Sequence, residues 1–280
     1  MREIFERIGE SANGAVAMNE LADRQRTHLK AVAAWAARAR ETLGAIMLTH
    51  GHQVHFRPAS GGVAMIGLLP ERPQRGKSGL CDLRRVARDF EQLFAAHCRD
   101  VPHGRITGEK ALQSYLIRDA YAHARHLACL NEASSSTDEP VDLVFVTDEI
   151  WIPTAQGNLV CDVLALRCDG ARRVPVLIEL KDHRMLTRLI AQVQGYAALI
   201  NAHLDAYSEL FSAVLGEPVS LTGPCETWIV WPSAGAVTDP REAELLRHGI
   251  RLVGYRPAGD GFHFRVGRGL YKPRVRARRL

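Results

Sequence analysis

Hydrophobic and polar positions follow two different periods in the first hundred residues. Apolar residues recur at helical spacing over Met18–Leu43, which predicts one long amphipathic helix. After Leu43 the apolar residues form short segments that are continuous or alternate with polar residues, which predicts strands at 46–48, 54–56 and 63–69. A second helix is expected over 80–98. The Pro-His-Gly segment at 102–104 then marks the end of an N-terminal α+β, helix-and-strand module.

A longer succession of elements follows this boundary. The apolar pattern predicts a helix over 107–130 and then three strands, Val141–Ile152, Leu159–Cys168 and Val174–Lys181. The remaining pattern predicts two more helices and three more strands, in the order helix 185–215, strand Thr227–Trp231, helix 240–248 and strands 250–255 and 262–266. This order predicts an α/β fold in which helices flank a mixed central sheet.

The third of the three successive strands carries charges where a central strand is normally apolar. The strand is apolar on both faces until Glu179, as expected of a strand covered on both sides. Glu179 and Lys181 are two residues apart and therefore share a face. If 169–172 forms a hairpin loop, Asp162 on the preceding strand lies opposite Glu179. Two opposed carboxylates repel each other, so this arrangement predicts a cation between them.

The types of side chain narrow the identity of that cation. Hard oxygen ligands without a cysteine or histidine cluster favour Mg²⁺ or Mn²⁺ over zinc. The 6 cysteines are scattered, with no Cys-x-x-Cys pair. His50, His52 and His55 lie far in sequence from any carboxylate, so we interpret them as packed or solvated. The alternative to a metal site is an ion pair on an edge strand, which the apolar character of this strand disfavours.

These residues are similar to the signature of the PD-(D/E)xK phosphodiesterase superfamily, the restriction-endonuclease-like nucleases. That signature is an Asp, a variable gap and then Glu-x-Lys, which Asp162 and Glu179-Leu180-Lys181 match. Cys161 stands where the family name has Pro, a departure that the family often shows. The predicted order of helix, three strands, helix and strand also resembles the family core.

Two further features resemble the family. Gln192 and Tyr196, four residues apart on one helix face, match the Gln-x-x-x-Tyr motif of its RecB-like branch. The resemblance implies that they support the site or contact the phosphate backbone; the alternatives are a solvated glutamine and a packed tyrosine. Glu109 matches a frequent acid near the start of the first core helix, although an acid in the first turn also stabilises a helix without any chemistry.

The resemblance implies a metal-dependent nuclease that hydrolyses phosphodiester bonds, and we expect DNA to be its substrate. Asp162, Glu179 and the backbone carbonyl of Leu180 would hold Mg²⁺ or Mn²⁺. Glu109 would bind the same ion through water or hold a second one. Lys181 would orient or deprotonate the attacking water and offset the charge of the phosphate.

Composition and charge limit the remaining possibilities. The chain has 280 residues, of which 46% are hydrophobic and 24% charged, as in globular proteins. It has no apolar run long enough for a bilayer and no signal-peptide core, so we expect a cytoplasmic protein. Segment 265–280 holds seven of the 36 basic residues and no acid, which leaves 29 basic against 31 acidic residues elsewhere. DNA binding by the rest of the chain would therefore need a local basic patch.

The sequence thus predicts three segments: an N-terminal module over 1–103, a nuclease-like domain over 104–267 and a basic tail over 268–280. The N-terminal module lies outside the resemblance, and it could recognise DNA, form a homodimer or cap the core. The alternative function is a catalytically inactive nuclease-fold protein that binds nucleic acid or acts as a scaffold. A further alternative keeps the enzyme and replaces DNA by RNA as its substrate.

Overall fold

The computed structural model describes most of the chain, namely residues 12–59, 62–69, 82–100, 108–135, 140–155, 157–186, 188–233, 240–259 and 261–266. The predicted boundary at 102–104 and the basic tail at 268–280 lie outside these residues. Within the described ranges, no helix combines the length and the apolar character that crossing a bilayer requires.

The described residues form eight helices and ten strands. The helices are α1 Ala12–His50, α2 Leu83–Arg88, α3 Phe90–Asp100, α4 Gly108–Ala122, α5 Ala128–Ser135, α6 Leu189–Ala202, α7 Leu204–Leu215 and α8 Pro240–Arg247. The strands are β1 Val54–Ala59, β2 Gly62–Gly67, β3 Asp142–Asp148, β4 Trp151–Thr154, β5 Gly157–Val160, β6 Val163–Asp169, β7 Arg172–Leu180, β8 Glu226–Pro232, β9 Arg251–Ala258 and β10 Gly261–Val266.

Six strands build one mixed sheet in the order β10-β9-β8-β7-β6-β3. The β7–β8 and β8–β9 pairs are parallel, and the other pairs are antiparallel. Strands β1 and β2 form a separate hairpin, as do β4 and β5. The predicted α/β architecture with a mixed sheet flanked by helices is confirmed. Because β7 lies between β6 and β8, the alternative of an ion pair on an edge strand is wrong.

Each face of the sheet carries its own hydrophobic core. On one face, α1, α6 and α7 pack on side chains such as Leu177 and Trp231. On the other face, α4 and α5 pack on side chains such as Ile178 and Trp228. A smaller cluster, which includes Phe56, joins the second half of α1 to β1, α2 and α3. Helix α1 therefore connects the N-terminal elements to the main core, and the division at residue 103 stays a prediction.

The strand predicted at 46–48 is wrong, because these residues belong to α1. The helix continues to His50, and the amide of Gly51 then donates to the carbonyl of Met47 at 2.9 Å. A Cβ at Gly51 would lie 2.5 Å from that carbonyl oxygen, so the close approach needs glycine. Leu48 is 91% exposed, so the apolar run does not mark a buried strand.

Two predicted helices are shorter than expected. The helix predicted over 107–130 ends at Ala122, because Ala124 and Arg125 adopt left-handed φ angles of 50° and 72°. The amide of Arg125 then donates to the carbonyl of Ala120 at 2.6 Å and closes the helix. Its remainder forms the separate helix α5. The helix predicted over 80–98 is also divided, into α2 and α3, at Asp89, whose φ of −108° and ψ of 20° are not those of a helix.

The helix predicted over 185–215 is also divided. It begins at Leu189, directly after Arg188, whose left-handed φ of 64° does not continue a helix. It is interrupted at His203, whose ring is buried and hydrogen-bonded to Gln25 of α1 at 3.0 Å. A contact with a distant helix therefore accompanies the break between α6 and α7.

The strand predicted over 141–152 ends earlier, at Asp148, and the β4–β5 hairpin follows it. The β3–β6 register shifts between Phe145 and Thr147, which makes Val146 an extra residue in a β-bulge. A bulge of one residue moves the side chains that follow it to the other face of the sheet. Asp148 therefore faces α4, where a side chain of that helix donates to it.

The register between β6 and β7 agrees with the predicted hairpin. Asp169 pairs with Arg172 at the loop, and Val163 pairs with Ile178 at the far end. Continuing this register by one residue places Asp162 opposite Glu179, as predicted. Asp162 itself lies one residue before β6 begins, and so outside the ladder of hydrogen bonds.

Asp148 is fully buried and bound by two basic side chains of the N-terminal hairpin. Arg57 donates to it through Nε at 3.0 Å, and its Nη2 also contacts the same oxygen. His55 Nε2 lies 2.8 Å from the other carboxylate oxygen. Burial alone would raise the pKa of Asp148, but the charges of Arg57 and His55 outweigh it and hold that pKa well below its usual range.

Asp148→Asn should lower the free energy of unfolding by about 3–5 kcal/mol at neutral pH, the typical cost of breaking a buried ion pair. Wild type should lose this stabilisation as the pH falls below ~3.9, the ordinary carboxyl pKa. Below that pH the unfolded chain binds a proton that the folded protein, with its lower Asp148 pKa, does not yet bind. Urea unfolding at neutral and acidic pH measures both effects. The control is Asp142→Asn, an exposed carboxylate at the start of the same strand. Equal losses in the two variants would contradict the assignment.

Candidate metal centre

The centre begins at the end of the central strand β7. Glu179 is 3% exposed, and Lys181 follows directly after the strand. The Lys181 ammonium donates to Glu179 Oε1 at 2.9 Å and to the backbone carbonyl of Leu180 at 2.8 Å. The two charged side chains therefore meet on one face, as their spacing predicts.

Asp162 joins them from the segment that leads into β6. Its Oδ2 accepts a hydrogen bond from the backbone amide of Leu180 at 2.8 Å, which turns the carboxylate toward the end of β7. A carboxylate offers about four lone-pair sites, so this bond leaves capacity for a further ligand. The structure thus brings together three of the predicted oxygen donors, those of Asp162, Glu179 and Leu180.

Burial changes the ionisation of these groups. Burial raises the pKa of Asp162. Burial, followed by the charge of Asp162, raises the pKa of Glu179 to about 7. Burial disfavours the Lys181 ammonium, but the neighbouring carboxylates, with Glu179 first, outweigh it and raise the pKa of Lys181. Lys181 is therefore a cation that partly neutralises the two carboxylates.

Glu109, in the first turn of α4, reaches the same lysine. Its Oε1 lies 3.5 Å from Lys181 Nζ, so the ammonium bridges Glu109 and Glu179. Glu109 also belongs to a second group of possible metal ligands. Among the described residues, the ligand atoms of Glu109, Asp182 and His183 all lie within 4.8 Å of one another. Asp182 and His183 are exposed and bonded to each other, so they are satisfied without an ion.

Sequence reasoning missed this second group. Asp182 and His183 directly follow Lys181, so the signal was a run of polar, ligand-type side chains at the end of an apolar strand. It also missed Asp148, which ends the apolar strand β3 in the same way. In both cases a charged residue at the end of a buried strand indicated an interaction whose partner is distant in sequence.

The Gln-x-x-x-Tyr pair is divided between two roles. Gln192 Nε2 donates to Glu179 Oε1 at 2.9 Å and so belongs to the centre. Tyr196 is 1% exposed, and its hydroxyl donates to the carbonyl of Ile150 at 2.9 Å. Because it is buried, Tyr196 does not reach a phosphate backbone, and the alternative of a packed tyrosine agrees better with the structure. It supports the segment between β3 and β6 instead.

We compared the chain with protein-family models, with curated proteins and with solved structures, and none of them matched. The resemblance to the PD-(D/E)xK nucleases rests on the residues of this chain and their spacing. Membership of that superfamily stays a prediction.

Glu179→Gln should flatten the dependence of stability on pH in the metal-free protein. Since burial raises the folded-state pKa of Glu179 to about 7, the native state keeps a proton that the unfolded chain releases. Wild type should therefore lose stability as the pH rises from the ordinary Glu value of ~4.3 toward neutrality. Melting temperatures in EDTA across this window measure the slope.

The control is Glu226→Gln. Glu226 is also largely buried, on the neighbouring strand, but Arg167 binds it at 2.7 Å. This variant shows how much of any change comes simply from removing a buried carboxylate that already has a basic partner. A Glu179→Gln variant with an unchanged slope would show that Glu179 is ionised throughout and would contradict the raised pKa.

Proposed function

We propose that this chain is a Mg²⁺-dependent nuclease that hydrolyses phosphodiester bonds in DNA and has a restriction-endonuclease-like core. The observation that carries the proposal is the convergence of Asp162, Glu179 and the Leu180 carbonyl at the end of the central strand. The order of elements supports it, since α4, strands β3, β6 and β7, helix α6 and strand β8 occur in this order along the chain. Helix α5, the β4–β5 hairpin and helix α7 are additional elements within that order.

The chemistry of the donors fits a hard divalent cation. Asp162, Glu179 and the carbonyl of Leu180 offer oxygen atoms, which Mg²⁺ and Mn²⁺ prefer. These three residues would hold the ion, and Glu109 would add a further oxygen. When bound, the ion would stabilise negative charge on the phosphate and lower the pKa of water toward neutrality.

The other side chains would act around these ligands. Lys181 would exchange its contacts with Glu179 and Leu180 for the substrate, where it would orient the attacking water and offset the phosphate charge. Because the neighbouring carboxylates raise the pKa of Lys181 and keep it an ammonium, it would not deprotonate that water. Gln192 would keep Glu179 in place through the bond to Oε1. Tyr196 would support the site indirectly, through the segment at Ile150.

One observation favours the alternative, a catalytically inactive nucleic-acid-binding or scaffold protein with the same fold. The Lys181 ammonium contacts both Glu179 and the carbonyl of Leu180, so part of the buried charge is neutralised without a metal ion. If that arrangement is permanent, divalent cations should neither bind nor support cleavage. The two functions therefore differ in a measurable property, the response to metal.

Cleavage should require Mg²⁺ or Mn²⁺ and should stop in EDTA. Glu179→Ala would remove a metal ligand and Lys181→Ala a cation that offsets the phosphate charge. Each should lower the rate at least ~10²-fold, the low end for loss of one electrostatic contribution to a transition state. The measurement is cleavage of single-stranded, duplex and branched DNA, and of RNA, by the full chain. The controls are Lys30→Ala and Glu209→Ala, which remove an exposed Lys–Glu pair with a separation of 3.7 Å.

Wild-type turnover in the Glu179 or Lys181 variants would contradict these assignments. Cleavage of RNA alone would keep the reaction and replace the substrate.

Metal binding should also be visible as stability. Asp162→Asn removes one charge at nearly constant volume and can still accept the bond from Leu180, so metal-free stability should hold or rise by about 0.2–1 kcal/mol. Wild type should gain ~2.7 kcal/mol at 100 times the dissociation constant of Mn²⁺, and Asp162→Asn should gain much less. Thermal unfolding with and without Mn²⁺ measures both quantities. An unchanged wild-type melting temperature would favour the inactive scaffold.

A further inference from the structure

The backbone at Asp162 is fixed from outside its own strand. Because Asp162 lies one residue before β6, the β6–β7 ladder does not include it. Its carbonyl oxygen accepts instead from Gln113 Nε2 at 3.1 Å and from the backbone amide of Glu149 at 3.3 Å. The position of this carboxylate therefore depends on groups that belong to α4 and to the residue after β3.

Gln113 is a buried residue of α4, 1% exposed, and all parts of its amide are used. Its Nε2 donates to the Asp162 carbonyl and to Asp148 Oδ2, each at 3.1 Å. Its Oε1 accepts from Lys110 Nζ at 2.9 Å. An ionised carboxylate and a carbonyl only accept, and an ammonium only donates, so the amide has one satisfactory orientation. Gln113 is therefore a directional link between Asp148 and Asp162.

The link is anchored at its far end by the N-terminal hairpin. Asp148 is fully buried, and Arg57 and His55 of β1 bind its two oxygens. Since the carboxylate is ionised, His55 Nε2 must donate to it, and His55 Nδ1 lies 2.7 Å from the hydroxyl of Tyr121 on α4. The β3 bulge makes this possible, because it turns Asp148 toward α4. A chain of directed hydrogen bonds thus runs from β1 to Asp162.

We propose that Gln113 is a positioning residue for the metal centre, which ties the backbone of Asp162 to the buried carboxylate of Asp148. Arg57 and His55 fix the orientation of the Asp148 carboxylate through their bonds to its two oxygens. This inference rests on the proposed function, because it takes Asp162 as a metal ligand. It also gives the N-terminal hairpin a role, since the hairpin braces the centre from the opposite face of the sheet.

The test is the affinity of the full chain for Mn²⁺, measured by calorimetry without substrate. Gln113→Met nearly preserves the length and volume of the side chain and removes both donors. Loss of a group that orients a metal ligand typically costs 10- to 100-fold in metal affinity, so the dissociation constant for Mn²⁺ should rise by about that factor. The melting temperature in EDTA, measured in parallel, reports the general loss of stability.

Gln25→Met is the matched control. Gln25 is also a buried glutamine, 4% exposed, and its Nε2 donates to the carbonyl of Pro153 at 2.7 Å. Its Oε1 is bonded to His203 at 3.0 Å. The variant should lower the melting temperature in EDTA by a similar amount, because it also removes buried hydrogen bonds. The affinity of Gln25→Met for Mn²⁺ should remain that of wild type. If Gln113 had only a structural role, Gln113→Met would likewise keep the wild-type affinity.

Each outcome decides one of the two proposals. If wild type does not bind Mn²⁺, the proposed metal centre fails, and the positioning role fails with it. If wild type binds and Gln113→Met binds equally well, the positioning role is overturned and the metal centre stands. Should Gln113→Met not fold, Gln113→Asn, which keeps an amide on a shorter side chain, should show the same loss of affinity. Wild-type affinity in Gln113→Asn, or failure of both variants to fold, would overturn the proposal.

Discussion

Negative charge buried at one end of the sheet constrains the structure around it. An ionised carboxylate that is removed from water costs several kcal/mol unless it is paired and hydrogen-bonded. Asp148 on one face of the sheet is paired with Arg57 of the N-terminal hairpin. On the other face, Glu179 and Asp162 lie near Lys181, which bonds to Glu179. The docking of β1 and the position of Lys181 both follow from the need to compensate these charges.

Basic side chains offset the cost of burial fully for Asp148 but only in part for Glu179. For Asp148, the basic side chains outweigh burial, and its pKa is held well below the usual range. For Glu179, burial and the charge of Asp162 outweigh Lys181, and its pKa is raised. The first carboxylate is therefore a satisfied anchor, whereas the second remains under-compensated in the absence of another cation. Strongly perturbed carboxylates of the second kind are found preferentially at functional sites, which agrees with the proposed metal centre.

Features that depend on local spacing could be predicted from the sequence. Apolar runs with strand periodicity predicted the central strand, and the loop at 169–172 set a register that continues to Asp162 and Glu179. The two-residue spacing placed Glu179 and Lys181 on one face. The class of fold, a mixed sheet flanked by helices, followed from the order of the elements. These predictions succeed because the geometry of a strand or hairpin depends on neighbouring residues.

Contacts between groups that are distant in sequence could not be predicted in this way. Asp148 and Arg57 are 91 residues apart, and neither spacing nor periodicity connects them. The bulge at Val146 aims Asp148 at Gln113, and a single extra residue of this kind leaves no clear mark in the apolar pattern. The break at His203 likewise accompanies its bond to Gln25 on α1. Pairing partners for buried polar groups are chosen by packing in three dimensions, and therefore the support of the candidate centre was not visible in the sequence.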